Sequence, residues 1–134
     1  MDNNSGTNSN TSCTNSGKDK HLFYGFGVNL PGGATVQGIE VRLDGKVDSA
    51  SGSPKFCVQL SWNGGTTWTA AKSTATLSTA ELTYMLGSST DTWGRTWAAS
   101  DFLSTNLRVQ VSDIASSTAR DFSLDWVALR VTYR

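Results

Sequence analysis

Apolar residues recur at every second position in several separate stretches of this chain. Ile39, Val41 and Leu43 alternate with Glu40, Arg42 and Asp44. Phe56, Val58, Leu60 and Trp62 alternate with Cys57, Gln59 and Ser61, and Leu107, Val109 and Val111 with Arg108, Gln110 and Ser112. Successive side chains on an extended strand point to opposite faces, so this period sets one face on a core and the other in water. A helix cannot use it, because period two scatters apolar groups around the helix circumference. The pattern predicts an all-β, antiparallel β-sandwich or jelly roll of about seven or eight short strands. A closed barrel is the alternative architecture.

Turn residues divide the stretches. Pro31-Gly32-Gly33 follows a first alternating run, Leu22, Tyr24, Phe26 and Val28. Ser49 to Pro54 separates the second strand from the third, and Asn63-Gly64-Gly65 is a strong hairpin signal because Asn and Gly accept positive φ cheaply. Residues 72–86 are ambiguous: Ser78 and Glu81 have capping-box spacing, but dense Thr and alternating Leu82, Tyr84 and Leu86 favour strands. Ser100 is placed to cap one helical turn over residues 100–103. In the last strand the inward set runs Phe122, Leu124, Trp126, then Val127, Leu129, Val131, Tyr133. That switch of phase predicts a β-bulge near Trp126-Val127.

Two regions differ in composition. Residues 1–20 hold almost no apolar side chain and cannot offset their own ordering entropy, so they form a polar N-terminal arm ahead of a β-sandwich domain over 21–134. The arm shows neither the basic nor the apolar stretch of a secretory signal. The expectation is synthesis in the cytosol or a mature or excised domain. Cys13 in the arm and Cys57 in a strand form either a disulfide or two free thiols. A bridge would staple the arm to the sandwich.

Charge excludes some functions. With 11 basic and 11 acidic residues the formal net charge is zero, and Lys46, Lys55, Lys72, Arg95 and Arg108 lie singly, so no nucleic-acid partner is expected. No apolar run approaches the ~20 residues of a spanning helix, so no membrane insertion is expected. Catalytic residues are not expected either. His21 is the only histidine and sits at the arm-to-strand junction. Glu40 lies on an outward strand face, Glu81 in the ambiguous stretch, and most Asp residues at strand ends, where turn chemistry explains them. No zinc spacing, phosphate loop, dinucleotide fingerprint or dense Asp run for calcium is present, so no metal or cofactor is expected. Asn3-Asn4-Ser5 and Asn10-Thr11-Ser12 match the glycosylation pattern, as an Asn/Ser/Thr-rich segment does by chance.

Ser61 to Trp68, SWNGGTTW, resembles the Asp-box S-x-D-x-G-x-T-W, with Asn63 in place of Asp. The resemblance implies a structural hairpin in which Asn63 closes the turn, Gly65 permits it and Trp68 packs beneath. More widely, GFGVNLPGGATVQGIEVRLDG, VQLSWNGGTTWTAAKST, TDTWGRTWAASDF and FSLDWVALRVTY resemble uncharacterised β-sandwich modules of bacterial surface proteins and phage structural proteins. That resemblance covers most of the chain after His21 and implies an architecture with no attached activity.

The sequence therefore points to a non-enzymatic structural or attachment subunit that decorates or cements a larger assembly, a phage capsid or a cell surface. The expected partners are protein subunits of that assembly in a homo-oligomer such as a trimer, reached by the arm. The expected location is a virion or the cell exterior. The alternative function is a carbohydrate-binding module, with glycans as partners. In both, Trp93, Arg95, Trp97 and Tyr84 are the candidate partner-binding residues. A competing reading puts Trp93 and Trp97 as plugs at the ends of the sandwich, with Arg95 stacked on one. Trp62, Trp68 and Trp126 are expected in the core or at its corners.

Overall fold

A computed structural model describes residues 12–14 and 19–134. The strands are β1 (Lys20–Phe23), β2 (Val36–Val47), β3 (Lys55–Ser61), β4 (Lys72–Ser73), β5 (Leu82–Gly87), β6 (Arg108–Ile114) and β7 (Phe122–Tyr133). They form two antiparallel sheets, ordered β1-β6-β3-β4 and β5-β2-β7. This is the expected sandwich, and two separate sheets replace the barrel alternative. The expected arm, residues 1–20, lies largely outside the described residues.

The alternating sets supply the core. Ile39, Val41 and Leu43 from β2 face Phe56, Val58 and Leu60 from β3 and Val109 and Val111 from β6, all fully buried. Each such side chain contributes roughly 1.5–3 kcal/mol by leaving water, so the inner face of each strand is fixed by its sequence. A slip of one residue would turn every one of them outward.

Local details differ from expectation in places. The first strand ends at Phe23, because Gly25 and Gly27 adopt positive φ (75° and 67°) and break the extended backbone. Leu22 and Tyr24 are then exposed, and Phe23, Phe26, Val28 and Leu30 pack against the core instead. The ambiguous stretch 72–86 carries strands β4 and β5, as favoured, and between them the Ser78 hydroxyl accepts the Ala80 N–H within a turn. The helical turn near 100 is a 3-10 turn over Ala99–Phe102. Its Asp101 carboxylate, not Ser100, reaches back to accept the Ala98 N–H (2.9 Å).

The predicted bulge is present in the last strand. In the β2–β7 ladder Asp44 pairs with Trp126 and Gly45 with Leu124, so the extra residue is Asp125. The bulge therefore falls one residue before Trp126. Phe122 and Leu124 face inward before it, and Val127, Leu129 and Val131 after it. Trp126 takes the outward phase and is 58% exposed, not a core residue.

Candidate functional site

The Asp-box-like hairpin is built as its residues imply. Asn63 Oδ1 accepts the Thr67 N–H (2.8 Å), and Ser61 Oγ accepts the Gly65 N–H (2.9 Å). Gly65 has φ 97°, and its α-carbon lies over the Trp68 ring, where a β-carbon would stand 3.4 Å from the indole. These residues close a turn and leave no group aimed at a ligand.

The expected partner-binding set is not displayed. Trp93 is 5% exposed and Trp97 3%. The Trp93 indole N–H donates to Ile39 O (2.9 Å) and the Trp97 indole N–H to Thr92 O (2.7 Å). Arg95 lies over Trp62 (3.9 Å to the ring centre) and Trp97 (4.5 Å) and is held by Asp101 (3.0 Å). Tyr84 faces the core, and its hydroxyl accepts the Ser78 N–H (2.8 Å). Trp93, Arg95 and Trp97 thus secure the loop between β5 and β6, and Tyr84 the connection that precedes β5. The plug reading fits Trp93 and Trp97, with Arg95 stacked on two rings instead of one.

Of the five tryptophans only Trp126 is exposed. It stands on the outer face of the β5-β2-β7 sheet, whose register lays outward side chains in rows. Thr83, Asp44 and Trp126 form one row; Met85, Arg42 and Ala128 the next; Gly87, Glu40 and Arg130 the third. Residues 126 and 128 on one strand face stand about 7 Å apart. Ala128 is the smallest side chain of the middle row, and a depression of about 320 Å³ opens there, lined by Glu40, Arg42, Thr83, Met85, Ala128, Leu129 and Arg130.

Two bidentate ion pairs frame this depression. Arg42 donates from Nε and Nη2 to the two Asp44 oxygens (2.9 and 2.7 Å). Arg130 does the same to Glu40 (2.6 and 2.7 Å). The fork geometry fixes both partners in a plane. The Thr83 hydroxyl also donates to Asp44 (2.7 Å). The bond from Arg42, and then that from Thr83, holds the Asp44 carboxyl below the usual carboxylate range, and Arg42 is raised in turn. At the end of the face beside Trp126, Glu81 is raised, first by its hydrogen bond with the Asp125 carboxyl.

Sequence reading missed this face, although its signal was present. The phase switch located the bulge, but only the identity of the extra residue decides which side Trp126 takes. Counting Asp125 as extra puts Trp126, Ala128 and Arg130 in one outward column. Comparison of the chain with family models, curated proteins and solved structures returned no match.

Proposed function

We propose that this chain is a non-enzymatic attachment module, part of a virion or cell surface, that binds through the outer face of the β5-β2-β7 sheet. One observation carries this reading: an exposed Trp126 stands beside a preformed depression framed by two rigid ion pairs. An indole in water forgoes a large burial gain unless a partner covers it. The Cys13–Cys57 disulfide supports an exterior location, where such bonds persist.

The test is retention of purified protein on intact Gram-positive and Gram-negative cells, on purified cell-wall fractions and on phage capsid shells. Retention on at least one surface is expected, with release when Trp126→Ala and Met85→Ala are combined. No retention anywhere, or retention indifferent to the two substitutions, overturns the reading.

A further inference from the structure

We infer that the ligand of this face is a neutral oligosaccharide, one sugar ring lying against Trp126 and the rings that follow it placing hydroxyls on the two ion pairs. The inference rests on the reading above that this face is the binding surface.

Charge is the first argument. Arg42 is neutralised by Asp44 and Arg130 by Glu40, so the frame has no net charge and selects neither an anion nor a cation. Each pair nevertheless retains hydrogen-bonding capacity. The ion-pair bonds engage Nε and Nη2 of both arginines; among the described residues Nη1 of neither arginine makes a hydrogen bond. Each Nη1 carries two N–H donors, and both Glu40 oxygens and Asp44 Oδ2 keep a further lone pair, while Asp44 Oδ1 already accepts from Arg42 and Thr83. A plane offering donors and acceptors side by side, with no net charge, matches adjacent hydroxyls, which both donate and accept.

Shape is the second. A pyranose has an apolar C–H face and a polar rim. Trp126 offers an apolar plane and the ion pairs a polar border on the same sheet face, Asp44 in the row of Trp126 and the Glu40–Arg130 pair two rows further along the strands. The depression of about 320 Å³ is at the small end of the roughly 300–1,000 Å³ usual for small-molecule sites. It holds a short saccharide unit.

A protein partner fits less well. Protein interfaces concentrate apolar side chains at a charge-poor centre. Here the centre of the face is Arg42, which separates Met85 from Ala128 and Trp126.

Affinity electrophoresis through gels containing β-1,4-glucan, mannan, galactan or arabinoxylan tests the inference, alongside an array of neutral oligosaccharides. Retardation by at least one polymer is expected. Trp126→Ala should weaken it about tenfold or more, as loss of a central aromatic anchor does. Ala128→Leu, which fills the floor while keeping all four ion-pair residues, should abolish it while thermal unfolding stays unchanged. Surface treatments separate this inference from the reading beneath it. Periodate, which cleaves adjacent diols, should end retention on cells or shells, and protease should not. Trp126-dependent retention that survives periodate but not protease overturns the glycan and leaves the attachment face standing. Retention indifferent to Trp126 overturns both.

Discussion

Asp91 holds three neighbours at once. Its backbone oxygen accepts the Ile39 N–H (2.9 Å), Oδ1 accepts the Trp93 N–H (2.8 Å), and Oδ2 pairs with Lys72 (2.8 Å), whose ammonium lies 5.1 Å from the Trp93 ring centre. Lys72, then the Trp93 N–H, keeps the Asp91 carboxyl below its ordinary value despite partial burial. A depressed carboxylate adds stability that is present above the unfolded-state pKa near 3.8 and is lost as pH falls through the lower folded value. Asp91→Asn keeps an oxygen for Trp93 but loses the ion pair. It should cost about 1 kcal/mol at pH 7, since the pair is part-exposed. The difference between variant and parent in urea unfolding should shrink below pH 3. Glu81 has the opposite sign: its raised carboxyl favours the fold below its ordinary 4.5 and loses that contribution as pH rises through the folded value. Glu81→Gln should therefore raise the melting temperature at pH 7 and give no gain at pH 3. A gain at both would mean that the neighbouring Asp125 carboxyl is not the cause. Residue types alone could not expose either role, because both depend on contacts between segments far apart in sequence.

At the scale of elements, the strands that alternate cleanly were the legible ones. Inner and outer faces of β2, β3 and β6 follow directly from their sequences, since each buries one complete set. The outer strands were less legible. On β1 the alternation continues past Phe23, but Gly25 and Gly27 end the ladder. On β7 the phase depends on one bulged residue, and with it the whole candidate face. The loop after β5 shows why its tryptophans misled. The strand ends at Gly87, yet Ile39 on β2 still has partners: Asp91 O takes its N–H and the Trp93 indole supplies the donor for its carbonyl. A side chain thus stands in for the next residue of the strand, which needs a bulky donor such as Trp to be buried. Gly87 permits this approach. It has φ 81°, and a β-carbon there would overlap the Ile39 carbonyl oxygen and stand 2.8 Å from the indole nitrogen. Gly87→Ala should cost about 2–4 kcal/mol from positive φ and lost bonding. Hydrogen exchange should show the Ile39 amide opening first. A loss under 1 kcal/mol would mean that the loop can be displaced without consequence.

The two sheets present unlike exteriors, and the disulfide accounts for part of the difference. Cys57, Ser61 and Ser112 point outward from the β1-β6-β3-β4 sheet, yet all are buried. Cys13 is bonded to Cys57 there, and the hairpin after β3 turns back onto Ser61. The outer face of the β5-β2-β7 sheet carries Trp126 and Met85 in the open. Cys13 is thus tied to its own sandwich, which removes that point of the arm from any reach toward a neighbour. The bridge joins residues 44 apart in sequence. Closing so long a loop restricts the unfolded chain and should stabilise by about 2–4 kcal/mol. Urea unfolding with and without reductant, compared with Cys13→Ser in the same conditions, measures this. Reduction should lower the midpoint of the parent and leave the variant unmoved. Retention through Trp126 should persist under reduction wherever the fold does, because the staple and the candidate face lie on opposite sheets. If reduction ended retention while the sandwich stayed folded, the binding surface would have to include the stapled side, and a face confined to β5, β2 and β7 would be the wrong description of how this molecule attaches.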